Sequence, residues 1–347
     1  MLDTRSWMLD IENRASRIAG ALLALLAFTA QGAGITDLGT LGGSASRAYA
    51  INAAGEVAGE AETGRGAVHA FVWKPGEAMK DLGTLGGRTS RAYDINDSGV
   101  VVGESETTSG VREAFVWTAT GGMQRLGSGA GSTPSYAYAI NNDGVAAGGI
   151  DTADGSRACT WSNGELRLLA IEAGAIEVAF DINAAGYVAG QLDRADPEDR
   201  VSAAFIHRSA EPSTSLLPRP AGLSSSARAM NDLNQAAGYL ETTNGETHAF
   251  VFDGVRGLRD IDTMSNMYSS ASAINVAGHV VGVFFHDAGD DDRAFICRAG
   301  VMSDLNRLIA TNTWLLVEAH DINDAGQVVG YGWHGEAERA FLLDTRY

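Results

Sequence analysis

Cysteine, positive charge and long apolar runs are all scarce in this 347-residue chain, and each scarcity removes possibilities. Two cysteines, Cys159 and Cys297, make no disulfide framework, and no cysteine–histidine set falls at zinc spacing. Lys and Arg number 25 against 43 Asp and Glu, giving a formal charge of −18. A chain this acidic repels phosphate backbones, which argues against nucleic acid, and it favours solubility with cationic or basic partners. The run "IAGALLALLAFTA" (18–30) counts thirteen residues, short of the roughly 20 that span a bilayer. Arg14 and Arg17 precede it and the small residues of "QGAG" follow, so residues 1–33 read as a secretory signal peptide. An uncleaved anchor and a buried helix are the alternatives. No later segment resembles a membrane span, and the expected location is secreted, periplasmic or cell-surface.

What is abundant is repetition. "AYAINAAGEVAGE" (48–60) returns as "AYDINDSGVVVGE" (92–104) and, with drift, five times more, ending in "AHDINDAGQVVGY" (319–331). The asparagines, from Asn52 to Asn323, are spaced by 44, 45, 42, 48, 44 and 48 residues. Fixed periods of this size mark solenoids, propellers or arrays. Asn-x-x-Gly suits a turn in which the Asn side chain caps and the Gly supplies positive φ. Asn234 stands in for that Gly once, and Asn tolerates the left-handed region best after Gly. A second Gly four residues on recurs in all seven copies, Gly59 through Gly330, and inside a strand it signals close backbone approach. "HAFVW" (69–73) and its six relatives follow, and then segments like "MKDLGTL". Each copy therefore predicts four short antiparallel strands, a to d: AYAIN, GEVAGE, HAFVW and MKDLGTL.

Four strands in about 45 residues, seven times over, predict an all-β, seven-bladed β-propeller filling residues 34–347. The stretch after residue 33 opens with a d-type strand, "ITDLGTLGG", and the chain finishes with a c-type strand, "RAFLLDTRY". The orphan d strand is expected to complete blade 7 and remove an exposed edge. A β-solenoid explains neither the four strands nor the displaced one. "DLGTLGG" is then an outer strand running into the crossing between blades, with Gly-Gly serving the turn; a phosphate loop would need Gly-Lys-Ser/Thr.

"HAFVW", "DLGTLGG" and "AINxxGxVvG" together resemble the HAF-repeat family of bacterial extracellular proteins over residues 35–347. The resemblance implies a bacterial, exported, repeat-built protein and carries no activity or catalytic residues.

Candidate site residues come from three places. Asp94, Asp181 and Asp321 replace Ala just before Ile-Asn in the innermost strand, as hard-cation or acid/base groups or as hydrogen-bond partners of the adjacent blade. The loop "HDAGDDDR" (286–293) carries Asp287, Asp290, Asp291 and Asp292, a weak calcium candidate without an EF-hand pattern. The b–c and d–a loops vary in length and share one face, where binding is expected. There Tyr268, His286, Trp314, Trp333 and His334 form a candidate patch for an extracellular glycan, peptide or protein, unless the two Trp are packing. His69 and His248 occupy a position that elsewhere holds Glu, Arg or Ala, and read as strand-face residues. No nucleophile–base pair or cofactor fingerprint stands out, so a binding role leads. The alternatives are a hydrolase or lyase using the three channel carboxylates, and a structural surface component.

Overall fold

The computed structural model describes residues 34–346 apart from 128–132, 170, 173, 195–200, 209–213, 220, 264–266 and 286–291. Seven four-stranded antiparallel sheets form a ring, and among the described residues the only helical element is a 3₁₀ turn, Leu305–Arg307. Blade 1 is Gly42–Ile51 (strand a), Val57–Thr63 (b), Val68–Trp73 (c) and Lys80–Asp81 (d). The N-terminal strand Ile35–Asp37 is the outer strand of blade 7, pairing with Ala337–Asp344. Thus the fold is a seven-bladed propeller whose ring is closed by its first strand.

One detail differs from expectation. "DLGTLGG" is mostly crossing rather than strand. Asp37 and Asp81 end the d strands and accept hydrogen bonds from the amides of Gly39 (2.8 Å) and Gly83 (2.7 Å), which turn the chain at φ +78° and +73°. Gly42 and Gly86 already begin the next strand a.

The repeated residues explain the blade. In each Asn-x-x-Gly turn the fourth residue has positive φ, including Asn234 at +58°. Asn52 Oδ1 accepts from the amides of Ala54 (3.0 Å) and Glu56 (2.9 Å). Its Nδ2 then donates to the Asn96 carbonyl of the next blade, 3.1 Å away. The same bond passes from blade to blade until Asn323 donates to the Asn52 carbonyl at 3.1 Å, closing a seven-membered ring. Each Asn thus caps its own turn and ties two blades. Asn183→Ala is expected to cost about 2–4 kcal/mol, because it removes a cap and orphans a buried carbonyl. Urea denaturation of the variant, with an unchanged m-value, checks this.

A second tie runs through the HAF segment. The amide of Ala70 donates to Ser90 Oγ of the next blade at 2.8 Å, and Ala114, Ala204, Ala249 and Ala340 do the same with Ser135, Ser225, Ser269 and Ser46. The Phe beside it is fully buried in every blade that has one. His69 and His248 bond Asp81 (2.9 Å) and Asp260 (2.6 Å) on their own d strands, so in these two blades the motif's His is the partner of the d-strand Asp. Cys159 and Cys297 are free and buried, in blades 3 and 6.

Candidate functional site

Because strand a lines the axis, successive positions along it form stacked layers in the channel. At the a–b turn end lies the asparagine ring, with the aliphatic layer of Ile51 and its counterparts beside it. Next come the three aspartates. Asp94 accepts from the amides of Ile95 in its own blade and Ile140 in the next, both at 2.7 Å. Asp181 serves Ile182 (2.7 Å) and Met230 (2.6 Å), and Asp321 serves Ile322 (2.7 Å) and Ile51 (2.8 Å). Spaced two or three blades apart, three carboxylates satisfy six of the seven equivalent amides; only blade 6 is left without one. These groups are blade-to-blade clamps. Their accessible surface faces the narrow channel, so burial raises their pKa values to about 8 (Asp94), 7 (Asp181) and 6 (Asp321), against the pull of the amide bonds.

Toward the b–c/d–a face the next layer is a collar. Tyr49, Tyr93, Tyr138 and Phe180 occupy blades 1 to 4, with consecutive ring centroids 5.9, 5.1 and 5.8 Å apart. His320 of blade 7 continues the arc 4.9 Å from Tyr49. On the other flank the Arg228 guanidinium of blade 5 lies 4.2 Å from the centroid of the Phe180 ring. Blade 6 offers only Ser272. The result is a cavity of about 400 Å³ with an aromatic wall and a gap where the seventh large side chain would stand. Polar groups surround that gap. His320 Nδ1 donates to the Ala48 carbonyl (2.7 Å), and its Nε2 lies 3.3 Å from Glu318 Oε2. Burial opposes the charge of Glu318, yet the His320 hydrogen bond and the positive charges of Arg47 and Arg228 hold its pKa below the usual range. Tyr49 donates to Glu60 Oε1 at 2.9 Å, and burial pushes its phenol well above the ordinary value.

The loop patch expected from sequence is not assembled in this way. Trp314 is a core residue: it begins strand a of blade 7 (Trp314–Ile322), stacks on His334 at 4.5 Å and meets Phe341 edge-on. It belongs to the packing reading, because strand a of blade 7 already begins at Trp314 and carries the ring into the core. His334 bonds Asp37 Oδ2 at 2.9 Å, and Tyr268 stacks on Phe285 at 5.4 Å. Trp333 is substantially exposed, at 43%, and His334 beside it is exposed as well. His286, Asp287, Asp290 and Asp291 lie outside the described residues, and Asp292 is exposed. Among the described residues no group of three or more His, Cys, Asp or Glu is placed to hold a metal ion. The collar was missed in the sequence although a signal existed. Within an otherwise nearly fixed "A-x-A/D-I/M-N", the second position reads Tyr, Tyr, Tyr, Phe, Arg, Ser, His.

No family model matches the chain, and no curated protein sequence does. Solved structures match over most of its length. A puromycin-hydrolyzing peptidase from Mycobacterium tuberculosis superposes with a TM-score of 0.62 at 11% identity, covering 88% of this chain and 52% of that one. The chain therefore spans about half the length of that peptidase. The β-propeller domain of the Trilobed protease from Pyrococcus furiosus gives 0.55 at 12% identity, over 91% and 97% of the two chains. Virginiamycin B lyase from Staphylococcus aureus gives 0.52 at 11%, over 90% and 98%. At such identities the likeness establishes the propeller class and nothing about chemistry. The Pyrococcus domain is described as having an open velcro topology, whereas here the strand Ile35–Asp37 closes the ring.

Proposed function

We propose that this chain is an exported HAF-repeat propeller that binds rather than catalyses, taking an extracellular glycan or peptide into the axial cavity on the b–c/d–a face. The observation that carries this reading is the interrupted collar: five ring-bearing side chains and Arg228 around the axis, with Ser272 leaving a slot. Ligand cavities are concave, largely apolar, and oriented by a few convergent polar groups, and about 400 Å³ falls within their usual range. Against the hydrolase or lyase alternative stands the engagement of Asp94, Asp181 and Asp321, each of whose oxygens accepts from a backbone amide. Export rests on the pattern of residues 1–33, which lie outside the described residues.

The test is a thermal-shift screen of residues 34–347 against glycans and peptides. A ligand at a hundred times its Kd adds about 2.7 kcal/mol of stability. Ser272→Tyr places at blade 6 the side chain that blades 1 to 3 already carry, so it is expected to fold normally and to abolish every hit by filling the slot. Hits that survive in a folded Ser272→Tyr protein place binding elsewhere, with Trp333 the first residue to mutate.

A further inference from the structure

The charges around the axis are not evenly matched. Arg47 is held by Glu338, with Nε–Oε1 2.8 Å and Nη2–Oε2 2.9 Å. Arg91 is shared between Glu60 and Glu104. Glu318 lies beside His320, Oε2 3.3 Å from Nε2. Arg228 differs: it is exposed to the cavity, rests on the rings of Phe180 and Tyr239, and has no carboxylate within ion-pair distance among the described residues. The cause is visible in the repeat. Blades 1 and 2 place Glu60 and Glu104 after the second Gly of strand b, while blade 5 places Tyr239 there. A guanidinium whose Cζ lies 4.2 Å from one ring centroid and 5.6 Å from another has cation–π neighbours in place of a carboxylate, and its planar fork of donors matches one.

We infer that the axial cavity receives a single acidic sugar residue, a hexuronate at the end of an otherwise neutral glycan, with Arg228 reading its carboxylate. This deepens the binding reading above and rests on it. The collar rings supply stacking surface for a pyranose. Ser270, Ser272 and Glu318 line the same cavity and supply hydroxyl and carboxylate partners for sugar hydroxyls. Three facts limit the ligand to one acidic residue. The cavity is near the lower end of ligand-pocket sizes, and it shares no lining residue with the cavity at the opposite mouth. The chain's charge of −18 repels a polyanion as a whole, so only a localised carboxylate meeting a localised cation is favoured.

The experiment titrates residues 34–347 with a glucuronate-terminated disaccharide, its glucose-terminated counterpart, and an acetylated tripeptide with a free C-terminus, followed by ligand-observed NMR. The acidic sugar is expected to bind about 10- to 100-fold more tightly than the neutral one, the size of a charge-assisted hydrogen-bonded pair. Arg228→Gln should erase that preference, with an unchanged melting temperature showing that the fold is kept. Ser272→Tyr should abolish both sugars. Equal binding of the two sugars, or a preference that survives Arg228→Gln, overturns the acidic-sugar inference but leaves an axial sugar site standing. Tripeptide binding lost in Arg228→Gln, without sugar binding, reassigns the site to peptide carboxylates. No binding by any probe, or binding untouched by Ser272→Tyr, removes the axial site itself.

Discussion

Gly148→Ala is expected to destabilise the propeller by about 3 kcal/mol or more, while Gly149→Ala, one residue later in the same strand, changes stability by less than about 1 kcal/mol. A Cβ on Gly148 would lie 1.8 Å from the Tyr136 carbonyl oxygen and 3.0 Å from Ala137 Cα. Both are backbone atoms, so no side chain can swing away. A Cβ on Gly149 meets nothing closer than the Arg157 carbonyl oxygen at 3.9 Å. The difference arises from the bulge in strand a, where the register slips between Ala137 and Ala139 and drives the preceding carbonyl toward strand b. Every blade repeats it. The first glycine after the Asn-x-x-Gly turn would bring a Cβ within 1.8–2.1 Å of a strand-a carbonyl in each of the seven, from Gly59 to Gly330. In several blades the HAF Phe ring closes the other side, as Phe205 does 2.5 Å from a Cβ on Gly190. Urea midpoints of the two alanine variants decide the matter. Equal losses at 148 and 149 would mean that glycine's flexibility, not the carbonyl contact, is what the position requires.

This glycine was legible because the contact that demands it recurs within each blade, and seven aligned copies display the requirement seven times. The Asn-x-x-Gly turn, the displaced d strand and the closing of blade 7 were legible for the same reason. Contacts between blades were harder to read. The Ser90-type latch joins residues about 20 positions apart in consecutive copies, so it never lines up in a column of one repeat against another. The aspartate clamp was puzzling in sequence because blades 2, 4 and 7 are not neighbours. Its logic is that each carboxylate serves its own blade and the next, so carboxylates on adjacent blades would compete for the same amide. The collar was hidden differently. Its members differ in chemistry, and it is only their shared position on strand a that makes Tyr49, Phe180, Arg228 and His320 one wall. The loop patch failed at Trp314 because strand a of blade 7 is longer than the repeat average, drawing a ring assigned to a loop into the core.

Stability is expected to fall as pH rises from about 5 to 9, with the maximum on the acidic side of neutrality. Asp94, Asp181 and Asp321 have folded-state pKa values of about 8, 7 and 6, raised by burial, with mutual repulsion adding to the first two. Unfolded, each titrates near 3.9. Between those limits the folded protein holds more protons than the unfolded one, so the slope of unfolding free energy against pH is negative. The contribution is complete below about pH 4 and is lost in turn through 6, 7 and 8, amounting to several kcal/mol across the range. Below about pH 4 the sign reverses. Carboxylates with lowered pKa values, such as Glu172 beside Arg194 and Asp344 beside Arg346, then lose their partners' stabilisation. Self-repulsion of a chain at −18 also favours acid, but salt screens that term and leaves the channel groups largely unaffected. Asp94→Ala separates the two. It gives blade 2 the alanine that blades 1, 3, 5 and 6 carry, but leaves the amides of Ile95 and Ile140 without the carboxylate. The expected loss is about 2–5 kcal/mol at pH 5, shrinking toward pH 9, where the native protein must hold a charge in the channel wall. Urea denaturation at pH 5, 7 and 9 in high salt checks both curves. A native stability that is flat or rising across that range, or an Asp94→Ala curve parallel to the native one, would show that the clamps are ionised at pH 5 and that the amide bonds outweigh burial.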